Sequence, residues 1–448
     1  MESAFLVASG LLALGFILRA KLKLFQVCYI PASVIGGIVG LVVVAVLGQI
    51  ERIPQNESLA LLAQFKSWPG WLIAVVFAGL FLERPARSMQ ENLRRAVCEG
   101  IVVWIISLGQ IVIGLAVTWL VLRHVFDLPD YFGQLIEIGF VGGHGTAAAV
   151  SEVLEKSTVG YADGRDLAFF FATVGLVFSV VSGIIYINLA VRRGWTRSGD
   201  VQIPRLSGLE ARKQPQPIAY ARVRAEVVDP LVFQALILGA AFALGIGLQW
   251  VFGEVFRWWF KIQDTKLPLF LFTLIGGLLV REGMRVFKII DLIDSGSIRR
   301  LTAAAMEYLI VAAIVSVRLE AVAKNWAPVT ILLVLGFVWT GVCLLWLSKR
   351  LLPKGYWFEL GILNYGMSTG TTAQGLMLLR IIDRDMDSGA GEDFALAAPL
   401  SAPFIGGGVI TITLPLVLQH LGIGLVTTAL AVLLGIFYFS GWLLARSR

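Results

Sequence analysis

Two short stretches set glycine beside hydroxyl, amide or imidazole side chains in apolar surroundings. The first reads Gly139-Phe140-Val141-Gly142-Gly143-His144-Gly145-Thr146-Ala147. The second reads Asn364-Tyr365-Gly366-Met367-Ser368-Thr369-Gly370-Thr371-Thr372-Ala373. In each, a glycine-rich break precedes a run that reads as a helix. Free N–H groups at a helix start favour an anion. Unwound carbonyls with Ser or Thr hydroxyls suit a hard cation such as Na+. The expected binding positions are Gly142, Gly143, His144, Gly145 and Thr146 in the first stretch. In the second they are Asn364, Gly366, Ser368, Thr369, Gly370, Thr371 and Thr372. Gly-rich apolar helices also pack closely with no ligand at all. Two such stretches at matching places favour the ligand reading, and an anion site beside a Na+ site is what coupled transport needs.

His144 has two readings. It binds a substrate carboxylate or carries a proton, or it hydrogen-bonds a backbone carbonyl and shapes its loop. Five acids lie in apolar surroundings: Glu99, Glu137, Glu152, Glu307 and Glu359. Intramembrane acids are functional by default. Glu307, inside Ala303-Ala304-Ala305-Met306-Glu307-Tyr308, is the one expected to act in ion coupling or gating.

The whole chain explains why these residues need apolar scaffolding. It has 448 residues, 57% hydrophobic and 15% charged, with 47 Gly. Its mean hydropathy is +0.81. Soluble domains carry about 25% charge, so a soluble enzyme is excluded and a polytopic membrane protein expected. The net charge of +7 reads as cytoplasmic loops rather than nucleic-acid binding. Cys28, Cys98 and Cys343 are odd in number and widely spaced, and there are only three His. No metal site is expected beyond transported Na+, and no cofactor. The apolar stretch 4–18 has no preceding positive charge, and Arg19, Lys21 and Lys23 follow it. It reads as a retained span, not a signal peptide, with its N-terminus outside.

The fold class expected is an all-α membrane protein with about eleven spans. They run roughly 3–20, 29–48, 69–82, 97–122, 166–191, 229–253, 267–287, 301–322, 327–348, 394–418 and 421–445. The segments 133–155 and 357–382, which hold the two Gly-rich stretches, read as re-entrant hairpins. With the N-terminus outside, 27 of the 37 basic residues fall on the inner side, as positive-inside bias requires. The C-terminus is then cytoplasmic.

The chain repeats itself. Pro31 to Ile35-Gly36-Gly37 is answered by Pro268 to Ile275-Gly276-Gly277, and Leu82-Glu83 by Leu319-Glu320. Glu137-Ile138-Gly139 is answered by Glu359-Leu360-Gly361, Gly145-Thr146-Ala147 by Gly370-Thr371-Thr372-Ala373, and Asp166-Leu167-Ala168-Phe169 by Asp393-Phe394-Ala395-Leu396. The first copy, 1–192 with hairpin 133–155, holds an odd number of spans. The second, 229–418 with hairpin 357–382, is therefore inverted. A polar stretch, 193–228, reads as a cytoplasmic linker, and 419–448 as an extra C-terminal span.

The block Gly142-Gly143-His144-Gly145-Thr146, with Ile30-Pro31…Gly36-Gly37 and Thr372-Ala373…Met377, resembles the bacterial glutamate:sodium symporters over about residues 1–418. The resemblance implies two inverted halves with a pore loop in each, Na+-coupled glutamate transport at the bacterial inner membrane, and a homodimer. The second hairpin departs from the family's pattern. Ser368 stands where Gly is expected, and a Pro is absent. That leaves a related small organic anion open as the substrate.

Other classes remain to be separated. A channel built on the same paired loops would not accumulate its solute. A hydrolase using Ser151 or Ser368 with His144 lacks a third orienting group. A sensor would bind the ligand without moving it.

Overall fold

A computed structural model describes residues 2–27, 30–50, 55–82, 93–156, 161, 163–197, 228–260, 269–383 and 388–446. Glu83, Pro268 and almost all of the 193–228 linker lie outside the described residues. The principal helices are α1 Glu2–Lys21, α2 Ala32–Ile50, α3 Gln55–Leu80, α4 Leu93–Val117, α5 Leu135–Gly139, α6 Gly143–Lys156 and α7 Gly164–Arg193. They continue as α8 Pro230–Phe260, α9 Leu269–Val286, α10 Ser295–Val315, α11 Trp326–Val342, α12 Trp357–Thr369 and α13 Thr372–Ile382. The chain ends with α14 Ala390–Ser401, α15 Val409–Leu421 and α16 Ile423–Arg446. No strand occurs among the described residues.

Seven helices among the described residues are long and apolar enough to cross a membrane. They are Ser3–Lys21, Leu61–Leu80, Arg94–Phe126, Gly164–Arg193, Pro230–Glu254, Trp326–Leu351 and Ile423–Arg446. Ala32–Val46 and Val409–Leu421 are apolar but shorter. Both α9 and α10 are interrupted by charge: Arg281, Glu282 and Arg285 in the first, Arg299, Arg300 and Glu307 in the second. Two expected spans are not single helices, and in 301–322 the helix stops at Val315 and resumes at Leu319. Residues 394–418 divide into α14 and α15, with Ala402–Gly408 non-helical between them. Gly406 and Gly407 there take φ of +64° and +102°, a region that disfavours other residues and ends a helix.

The chain forms two compact units, and they are not the two sequence halves. Unit 1 comprises Met1–Ala20, Pro31–Arg87 and Ser207–Ser316. It takes α1 to α3 from the first half and α8 to α10 from the second. Unit 2 comprises Lys21–Ile30, Ser88–Leu206 and Val317–Arg448, and holds both Gly-rich segments.

In unit 1 the paired glycines set the packing. A Cβ on Gly36 would run into the Leu11 backbone of α1, and one on Gly276 into the Ala241 backbone of α8. Gly37 lies against Ile314 of α10, and Gly277 against the Ala78 backbone of α3. Both α2 and α9 thus meet two neighbours through consecutive glycines. Small residues allow such close approach where lipid offers no hydrophobic drive between helices. Thr273 Oγ1 adds a hydrogen bond to the Ala74 carbonyl at 2.8 Å. Gly36→Val is expected to lower the apparent Tm of the detergent-solubilised protein, at a cost of about 1–3 kcal/mol from overpacking. An unchanged Tm would show that α1 can move aside.

Unit 2 is organised around α4, α7 and α12. Its apolar core includes Val102, Ile106, Val180, Ile187, Phe358, Leu363 and Leu378. The ends of α4 and α11 both widen into π-helical turns, Thr118–Leu122 and Cys343–Leu347. The matched acids both anchor the start of a helix. Asp166 of α7 accepts from Arg318 Nε at 2.7 Å, and Asp393 of α14 accepts from the Tyr356 hydroxyl.

Candidate functional site

The first Gly-rich stretch is a broken helix. Helix α5 stops at Gly139, and the Gly142 N–H closes the turn on the Glu137 carbonyl at 2.9 Å. Gly143 takes φ +62° and begins α6. A β-carbon there would be strained, so the reversal depends on glycine. The second stretch breaks at Gly370. Thr371 then caps α13, its hydroxyl accepting from the Gln374 N–H at 3.3 Å. Such a cap satisfies one of the donors that a helix start leaves without an intrahelical partner.

The two breaks meet. The Cβ position of Gly143 is 3.4 Å from the Gly370 carbonyl oxygen, so the two helix starts touch with no side chain between them. Gly175 of α7 lies against both, facing the Thr369 carbonyl and the Phe140 ring. Gln374 fastens the second tip to α7. Its Nε2 donates to the Leu176 carbonyl at 3.0 Å, and its Oε1 accepts from Ser179 Oγ at 3.0 Å.

The broken segment Ala402–Gly408 joins the first tip. Glu137 Oε1 accepts from the Gly406 N–H at 2.8 Å and from Thr411 Oγ1 at 2.7 Å. Gln134 Nε2 donates to the Thr411 carbonyl at 2.6 Å. Thr146 Oγ1 donates to the Gly406 carbonyl at 3.2 Å. Three discontinuities in helical backbone therefore converge in one unit: 140–142, 370–371 and 402–408.

The expected site residues take different places around these breaks. Gly142, Gly143 and Gly370 form the tips. Gly145 lies in the first turn of α6 and is half-buried. His144 turns to α7, where its Nε2 is 3.0 Å from Thr173 Oγ1. That hydroxyl already donates to the Phe169 carbonyl, so Nε2 of the imidazole is the donor of this pair. His144 is thus tied to α7 through a hydroxyl. Gly366 lies where the two arms of the second hairpin cross, 2.6 Å from Gly375 Cα at its Cβ position. Ser368 offers its carbonyl to Gln110 Nε2 at 2.7 Å, while its own hydroxyl points back to the Tyr365 carbonyl. Thr369 is buried and its hydroxyl has no partner among the described residues. Thr372 opens α13 and is exposed. Asn364 is buried on α12, with neither polar side-chain atom hydrogen-bonded among the described residues.

The acids take different surroundings. Glu307 is exposed on α10 in unit 1, whereas both hairpins belong to unit 2. Glu99 and Glu137 are 0% exposed, and Glu359 1%. The Glu152 side chain lies outside the described residues. Neither serine of the hydrolase reading pairs with His144. Ser151 donates to the Ala148 carbonyl at 2.8 Å.

Sequence reasoning missed Gly175, Gln374, Gln134 and the 402–408 break. Only the last had a strong signal, the run Gly406-Gly407-Gly408 inside an apolar stretch.

A family model described as sodium/glutamate symporter matches residues 1–374. The match runs through both Gly-rich breaks and ends at Gln374, short of the 1–418 over which the motifs align. No curated protein matches the chain. Seven apolar helices together with this match make it a multi-pass membrane protein of a transporting rather than catalytic kind. The chain belongs to the sodium/glutamate symporter family.

Proposed function

We propose that this chain is a secondary active transporter that moves glutamate, or a closely related small organic anion, with Na+ across the bacterial inner membrane. The observation that carries this reading is the meeting of two helix starts at Gly143 and Gly370. Their first-turn N–H groups and dipoles favour an anion between them. The buried Thr369 hydroxyl at the second tip suits Na+. His144 and Gly366 support the hairpins rather than bind cargo.

The two stretches are re-entrant hairpins of inverted halves, 1–192 and 229–418, joined by a cytoplasmic linker at 193–228. The matched contacts of Gly36-Gly37 and Gly276-Gly277 support that symmetry. The N-terminus lies outside, the C-terminus inside, and the protein works as a homodimer. Helix α16 is an addition beyond the repeat. An inward Na+ gradient and the membrane potential drive uptake, each charge being worth about 2.3 kcal/mol per 100 mV.

Reconstitution in liposomes tests the proposal. Labelled glutamate offered with an inward Na+ gradient is expected to accumulate above its outside concentration. A channel would only equilibrate it, and a sensor would not move it. No Na+-dependent uptake, beside an active control, would end the glutamate assignment. A proton gradient in place of Na+ tests the coupling ion in the same vesicles.

A further inference from the structure

Three glutamates among the described residues of unit 2 are fully or almost fully buried, and their surroundings differ. Glu137 is engaged by Gly406 and Thr411. Glu359 Oε1 accepts from the Arg197 backbone N–H at 2.7 Å. Glu99 has no such donor: neither carboxylate oxygen has a hydrogen-bond partner among the described residues. It lies on α4 at 0% exposure, next to Gly100, which packs on Leu400 of α14.

Two side chains set its electrostatic surroundings, Asn364 of α12 and Asp393 of α14. Asn364 is also 0% exposed, and both of its polar atoms are unpartnered among the described residues. Carboxylate and amide thus lie against one another across the α4–α12 seam, near enough to interact but without completing each other's hydrogen bonding. A buried ionised carboxylate with no counter-charge is strongly disfavoured. Asp393 adds a second negative charge and so deepens the need for a cation. A carboxylate and an amide oxygen are the ligand types that a hard cation takes.

We propose that Glu99 and Asn364 bind one Na+ of the transport cycle, at a site distinct from the hairpin tips. This deepens the symport reading above and rests on it. Asn364 lies about 9 Å along α12 from Gly370, at 1.5 Å per residue. A Na+ held between α4 and Asn364 therefore ties down the arm that presents the second tip. Gln110 already binds Ser368 on the same seam, one fastening closer to the tip. Ion occupancy then fixes where Thr369 and Gly370 stand, so that cation and anion each favour the state that binds the other.

The test is thermal unfolding of the purified full chain in detergent, without glutamate, with NaCl replaced stepwise by choline chloride. Wild-type protein is expected to gain stability with Na+. In Glu99→Gln and in Asn364→Leu, the Na+ concentration for half the gain should rise about tenfold or more. Glu99→Gln should also be at least as stable as wild type without Na+, since the buried charge is gone. Gel filtration identifies a variant that aggregates, in which case the other decides. A wild-type Na+ response in both variants overturns the site. So does a wild type that responds to pH and not to Na+, which would make Glu99 a proton carrier. Na+ stabilisation lost in the variants, with no Na+-driven glutamate uptake by wild type, would remove the symport reading and leave the site standing.

Discussion

Gly175→Val is expected to abolish glutamate uptake while the protein still inserts and folds. Gly175 is the point of α7 against which both tips rest. A Cβ there would come 2.5 Å from the Thr369 carbonyl oxygen and 2.8 Å from Phe140 Cδ1. Neither neighbour can yield cheaply. Thr369 is the last residue of α12, so its carbonyl moves only with the second tip. Phe140 precedes the first tip, and its ring is held on the far side by Phe337, stacked at 5.1 Å, and by Gly336. Overpacking of this kind costs about 1–3 kcal/mol, which a large helical unit can survive. The site is less tolerant, because a displacement of about 1 Å can cost about a hundredfold in rate. Gly175→Ala should give an intermediate loss. Initial rates in liposomes, with circular dichroism to verify helix content, check both variants. Wild-type uptake in Gly175→Val would remove α7 from any part in placing the tips.

Gly175 also shows where sequence reasoning stops. The chain has 47 Gly, many in apolar runs, and composition cannot say which one faces a carbonyl. Gly143 and Gly370 were legible because glycine there coincides with hydroxyls and a helix start. The same logic applies to Gly406-Gly407-Gly408. There, however, the flanking residues are apolar enough to carry the average across the break, and two helices read as one span. Depth and face are likewise separate questions. Glu307 sits among alanines and aliphatic residues, yet its face of α10 is exposed. Glu99 is only about two turns into α4 and is fully buried. Helical periodicity could have separated them only with knowledge of which face meets protein and which meets lipid, and both faces are apolar in a membrane. The compact units were hidden for a related reason. The repeat is written along the chain, whereas the core of unit 2 joins helices from both halves, as Val180 and Leu363 do.

Glu137→Ala is expected to destabilise unit 2 and stop transport, whereas Glu137→Gln should do much less of either. One carboxylate oxygen receives both the Gly406 N–H and the Thr411 hydroxyl. The segment 402–408 has no helical ladder of its own, and two of its glycines hold positive φ. Turn hydrogen bonds to Ser401, Pro403 and Phe404 hold its ends, and the first hairpin supplies the acceptor for the Gly406 N–H at its middle. Alanine removes the acceptor and leaves the buried Thr411 hydroxyl and the part-buried Gly406 N–H unsatisfied, at about 1–3 kcal/mol for the first and less for the second. It also empties space beside Gln134, whose bond to the Thr411 carbonyl is then left with the Thr146 bond to the Gly406 carbonyl to join the two segments. Glutamine keeps an oxygen that can accept both bonds. What it loses is the charge assistance, about 1 kcal/mol per bond. The apparent Tm in detergent should consequently fall steeply for Glu137→Ala and slightly for Glu137→Gln, with uptake following the same order. Equal loss of uptake in both, at an unchanged Tm, would mean that the carboxylate acts on the cargo instead of on the loop. The contrast between the two variants separates a group that holds the backbone in place from one that meets the ion, a distinction that burial alone does not make.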